Sequence, residues 1–220
     1  MWNLLKLVAA SVVLFVSAAV SAQTVLTANI TNNQEPPVGT PPQTIQPTTS
    51  TGAPRASSGT ATFTLSPAMD SLTFTATVLG LDFTGAQTPG DTNDNLSAAH
   101  IHISDDPNFM PPTAAGVRWG FFGAPFNETA PNDQLIVPLA VGAGGTISGK
   151  WDATEGNSTT LAPWIDDILA GRAYINFHTT QFPGGEIRGV LIPEPSTIAL
   201  VGFGIVALGA VARKRRAKNV

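Results

Sequence analysis

The residues of this chain best suited to chemistry are its three histidines, His100, His102 and His178; cysteine is absent, which excludes thiol catalysis and thiolate metal ligation. Two of them stand in Ala99-His100-Ile101-His102. Side chains along a strand alternate with period two, so both imidazoles project from one face while Ala99, Ile101 and Ile103 project from the other. The third lies in Tyr174-Ile175-Asn176-Phe177-His178-Thr179, which places Tyr174, Asn176 and His178 on a polar side and Ile175 and Phe177 on a core side. Two imidazoles on one strand and a third from another make a reasonable shell for Zn²⁺ or Cu²⁺. The competing expectation is structural. His178, Asn176, Glu186 and Arg188 would form a polar network pinning the last two strands, with Glu186 and Arg188 a near pair or a surface pair.

A second candidate is Asp91-Thr92-Asn93-Asp94-Asn95, where oxygen ligands crowd into a turn. An EF-hand is excluded, because the sixth position is not glycine and His102 stands where the bidentate glutamate belongs; a loose surface calcium site remains open. No Ser-His-Asp order and no Gly-rich phosphate loop can be argued, so an enzyme is the less favoured class.

The elements that must carry these residues read as short strands. Thr24 to Thr31 is a first strand, and Gly59 to Leu65 and Leu72 to Val78 alternate apolar residues with threonine across a turn at Ser66-Pro67-Ala68-Met69-Asp70. Further strands are expected at 98–103, 117–122, 134–139, 146–151, 172–179 and 186–192. About nine strands separated by Gly, Pro and Asn predict an all-β fold, a single antiparallel sandwich or barrel-like domain. One short helix interrupts it, because Leu161, Trp164, Ile165, Ile168 and Leu169 form one apolar stripe, with Thr160 to cap its start, Pro163 in its first turn and Gly171 to end it. Burial together is expected for Phe63, Leu65, Phe74, Val78, Ile101, Ile175, Phe177, Ile187 and Leu191, with Trp164 and Ile168 capping one edge. The Pro/Thr-rich stretch 32–58 has few apolar anchors and reads as a long solvated loop, mobile from Thr40 to Ala56.

The two ends differ from this middle. Lys6 precedes an apolar run from Leu7 to Val20 that is too short to span a bilayer comfortably and closes on Val20-Ser21-Ala22; residues 1–22 read as a signal peptide cut by signal peptidase. At the other end Pro193-Glu194-Pro195 precedes an apolar transmembrane helix at 196–212 and the basic cluster Arg213, Lys214, Arg215 and Arg216. Two prolines keep Glu194 extended, as a processing enzyme requires, and the basic cluster stays cytoplasmic as a membrane anchor. Between Gln23 and Ile192 five basic residues face fourteen acidic ones, a net of −9 that disfavours nucleic acid.

The tail resembles the PEP-CTERM sorting signal of exported proteins in many Gram-negative bacteria. The resemblance implies cutting at 193–195 by an exosortase-type enzyme and release toward the surface or an exopolysaccharide matrix. The domain, residues 23–192, resembles the CHRD module through Gln34-Glu35-Pro36-Pro37, Ala99-His100-Ile101-His102, Leu169-Ala170-Gly171-Arg172-Ala173-Tyr174, Asn176-Phe177-His178-Thr179 and Pro183-Gly184-Gly185-Glu186-Ile187-Arg188-Gly189. That family is β-rich and extracellular, with no enzymatic reaction implied. The leading expectation is therefore an exported non-enzymatic surface or matrix protein whose domain mediates interactions. The alternative is a metal-binding protein or metal-dependent enzyme centred on His100, His102 and His178.

Overall fold

The computed structural model describes residues 23–194. The signal segment, Pro195, the apolar stretch 196–212 and the basic cluster from Arg213 to Arg216 lie outside the described residues. Among the described residues no helix is long and apolar enough to cross a membrane.

Runs in which threonine alternates with an apolar residue can bury only one face, and their backbones need partners on both edges. The first three strands, β1 (Thr24–Thr31), β2 (Ser58–Leu65) and β3 (Ser71–Leu79), satisfy both demands as a meander. Phe63 stands opposite Phe74 and Ala61 opposite Ala76 on the buried face, while Thr60, Thr62 and Thr64 face Thr77, Thr75 and Thr73 on the other. The chain continues through β4 (Leu96–Ile103), β5 (Gly116–Phe122), β6 (Leu135–Pro138), β7 (Gly144–Asp152), the helix α1 (Ile165–Leu169), β8 (Ala173–Thr179), β9 (Ile187–Val190) and β10 (Ile192–Pro193).

Among the described residues the strands all pair antiparallel in one sheet, in the order β5-β4-β8-β9-β1-β2-β3-β7-β6, with β10 added to β1. The barrel-like expectation is the one realised, as a sheet curled into a half-barrel. Aromatic contacts between strands far apart in that order show the curl: Phe74 on β3 lies 4.5 Å from Phe121 on β5, and Trp119 on β5 stacks on Trp151 of β7 at 5.7 Å. The core expected from the sequence forms as one cluster, with Ile168 inside it and Trp164 packed against it.

Three details differ from expectation. The last strand run divides in two at Leu191, whose N–H turns to Ala173. The helix is a 3-10 turn at Ala162–Trp164 followed by the five residues of α1, and it has no side-chain cap, so Thr160 does not serve as one. Gly171, at φ +73°, does close it.

The third difference is the Pro/Thr-rich segment, which is largely exposed, as a loop should be, but is tied to the domain at several points. Ile45 is buried, Asn32 donates to its carbonyl, and Ser50 is held by Asp91 through both its N–H and its hydroxyl. Arg55 reaches Glu186 with two hydrogen bonds of 2.5 and 2.6 Å, and the Glu186 side chain is fully buried. Apart from Ile45 and Pro47 the anchors of this segment are polar, and hydrophobic patterning does not register them. Arg55→Ala strands the Glu186 carboxylate without its cation, so it is expected to lower stability by about 3 kcal/mol in urea unfolding. A solvated insertion would lose less than about 0.5 kcal/mol.

Candidate functional site

Strands β4 and β8 are neighbours, and their register brings the histidines together. His100 pairs with Asn176, His102 with Tyr174, and Ala98 with His178, so His100 and His178 are diagonal neighbours on one face. On its other edge β4 meets β5 with register shifts on both sides of His100, and Gly120 stands opposite it. A Cβ at Gly120 would lie 1.8 Å from the Pro125 carbonyl oxygen and 3.0 Å from the His100 ring, so only glycine lets the ring and the following loop close together.

One ring nitrogen from each histidine lies within 4.8 Å of those of the other two, and all three residues are buried. Among the described residues this is the group of three metal-ligating side chains that converges. Each ring is tied at its other nitrogen to a backbone carbonyl: His100 Nε2 to Ala124 at 3.1 Å, His102 Nδ1 to Ala115 at 2.9 Å, and His178 Nδ1 to Pro183 at 3.0 Å.

A carbonyl oxygen only accepts, so those three nitrogens carry the protons, and a neutral ring then leaves its second nitrogen bare. His100 Nδ1 and His178 Nε2 consequently face each other at 3.1 Å, lone pair to lone pair, and His102 Nε2 is buried without a partner. The rings are held neutral. Burial, assisted by His178, pushes His100 down to about 4; burial pushes His102 down to about 3 against its bond to Ala115; burial lowers His178 as well. Opposed lone pairs are unfavourable until a proton or a cation sits between them. Imidazoles oriented by backbone carbonyls are the usual arrangement for metal ligands. Ligand nitrogens on a tetrahedral Zn²⁺ stand about 3.3 Å apart, so the His100–His178 spacing already fits and the widest pair needs to close by about 1.5 Å.

The surrounding groups fix the walls of this cluster. The Tyr174 ring stacks on His102 with centroids 4.8 Å apart and planes at 7°, and its hydroxyl oxygen accepts from the Ala115 N–H. The Arg188 guanidinium lies over the Tyr174 ring, 4.5 Å from its centroid. It donates to the carbonyls of Gln34, Pro112 and Thr113 and stands 3.7 Å from Glu35.

The expected polar network of His178, Asn176, Glu186 and Arg188 does not form: His178 meets the Pro183 carbonyl and His100, the Asn176 Oδ1 is buried without a hydrogen bond, and the two charged residues take other partners. Glu186 and Arg188 are not a pair; Glu186 takes Arg55 and the Thr179 hydroxyl, and Arg188 takes Glu35. Sequence reasoning missed Glu35 and Arg55 as members, although a lone arginine in a neutral polar loop was the available signal for the second. The aspartates of the turn at 91–95 do not converge on a common point. Asp91 accepts from Ser50 and Asn93, and Asp94 accepts from Thr88.

A cysteine-free, half-barrel β domain with a buried trio of carbonyl-anchored imidazoles is thus the class that fold and site define. Residues 26–191 match the CHRD domain, and the chain belongs to that family; residues 191–216 match the PEP-CTERM protein-sorting motif. No curated protein and no solved structure matches the chain. The sorting motif makes this an exported protein, transiently anchored in a membrane and processed by an exosortase-type enzyme.

Burial pushes the Glu35 carboxyl up to about 7, with Arg188 pulling it down and Glu186 adding to the rise. A raised carboxyl contributes stability that is complete below pH 4.5 and is lost as pH rises through about 7. The histidines act in the opposite sense, so the difference between two profiles is the informative quantity. Urea midpoints of the wild type and of Glu35→Gln, measured from pH 4.5 to 8, should diverge across that window, the wild type alone losing stability by this route as pH rises.

Proposed function

We propose that the protein is delivered to the cell surface or its exopolysaccharide matrix and works there as a non-enzymatic module that holds a transition-metal ion, Zn²⁺ or Cu²⁺, on His100, His102 and His178. The observation that carries this reading is the three ring-to-carbonyl contacts, which assign the proton of each neutral ring to one nitrogen and leave the other bare, two of these only 3.1 Å apart. A set of imidazoles without carboxylate or thiolate suits zinc and copper better than magnesium, calcium or manganese. The rings are only 4 to 8% exposed, which favours holding an ion over turning over a substrate on it.

Metal analysis of the released protein after equilibration with Zn²⁺ or Cu²⁺ and desalting is the test. About one ion per chain is expected, lost in His100→Ala and in His178→Ala while the far-ultraviolet dichroism is retained. No bound metal, or equal binding by the variants, would overturn the proposal.

The delivery half has its own test. Glu194→Ala should block processing and leave the protein membrane-bound, since the apolar stretch is untouched. Mass spectrometry of whole cells and of the released fraction reads this directly; intact tails in released wild-type protein would refute it.

A further inference from the structure

The segment that the sorting enzyme must read does not hang free of the domain. Its first residue is built into the sheet with the one before it: Ile192 and Pro193 form β10, paired with Thr27 and Leu26 of β1. The Glu194 N–H donates to the Val25 carbonyl at 2.9 Å, and the Thr27 hydroxyl donates to the Glu194 carboxylate at 2.7 Å. Both polar handles of the acidic residue in Pro193-Glu194-Pro195 are therefore occupied by the first strand of the mature domain. Thr27 is suited to this, because its neighbours Leu26 and Ala28 point into the core while its own side chain points outward.

We infer that β1 gates the domain's own release: docking of Glu194 on Val25 and Thr27 and capture of Glu194 by the sorting enzyme are alternative states of the same residue. An enzyme that selects this motif has to bind the extended backbone around Glu194 and neutralise its carboxylate, which are the interactions β1 already makes. The geometry of the tether adds to the effect. With β10 docked, only four residues lead from Glu194 to Ile198, the first apolar residue of the stretch 196–212, a reach of at most about 14 Å. When β10 peels away, the last buried anchor is Leu191, and seven residues give at most about 25 Å. Opening thus frees the carboxylate and also lengthens the strand that an enzyme near the membrane can take hold of. The gate is weak by construction, being two residues long with Ile192 and Glu194 exposed, so it sets a rate and does not forbid processing.

The test is pulse-chase of the full chain in its host, following the ratio of anchored to released protein. Thr27→Val removes the hydroxyl but keeps the β-branched shape, and it should accelerate release by about three- to tenfold, as expected for losing a partly exposed hydrogen bond to a charged group. Thr27→Ser keeps the hydroxyl and should process at the wild-type rate, which separates the hydrogen bond from any effect of strand packing. Release by Thr27→Val at or below the wild-type rate would overturn the gate, provided Glu194→Ala still blocks processing. If Glu194→Ala is released normally, the motif is not what the enzyme reads, and the gate falls with it.

Discussion

Arg188 is a buried cation whose N–H groups must all find acceptors, and much of the histidine site is arranged around that requirement. Its guanidinium collects the carbonyls of Gln34, Pro112 and Thr113, three groups from two loops that are distant in sequence, and it covers the Tyr174 ring. Thr113 lies two residues before Ala115, whose carbonyl fixes His102 and whose N–H meets Tyr174. The cation therefore draws in the loop that sets one histidine's tautomer. Glu35 completes the arrangement at 3.7 Å, its carboxyl pushed up by burial against the pull of the Arg188 charge.

A second buried arginine plays the same part on the other side. Arg55 binds Glu186 and also donates to the carbonyls of Gly80 and Asn93, so the Pro/Thr-rich segment, the turn near Asn93 and the start of β9 are held by one side chain. Glu186 receives the Thr179 hydroxyl, and Thr179 follows His178 directly. The polar face of β8 and β9 is thereby sealed by two arginines brought from, or reaching to, the long segment after β1. With no cysteine to cross-link the loops, these ion pairs supply the tethering that disulfides give many exported domains.

How far this was legible in the sequence depends on the range of the interaction. Threonine alternation located β2 and β3, because one-sided burial is a local property and leaves a period-two record. The convergence of the histidines was legible for the same reason: parity along β4 and β8 placed each ring on the polar face, and only adjacency of the two strands had to be supplied by the fold. The docking of Arg55 on Glu186, 131 residues away, left no periodic trace, and the proline content of its segment suggested solvent instead. The carbonyls of Ala115, Ala124 and Pro183 were equally silent, since backbone acceptors are the same whatever the side chain.

That last silence matters for function, because the carbonyls decide what the histidines can do. A histidine pair in a β-sheet ordinarily satisfies itself by one ring donating to the other. Here His100 and His178 are each compelled to spend their proton on the backbone, which turns a stabilising contact into an opposed pair of acceptors. Such an arrangement costs stability, and the broad aromatic core around Phe74, Trp119, Phe121 and Trp151 is what can sustain the cost. The cost also has a direction. In the proposed role a cation between the rings would relieve the repulsion and meet three oriented ligands at once, and the carbonyls that set the tautomers would be the part of the fold that favours it.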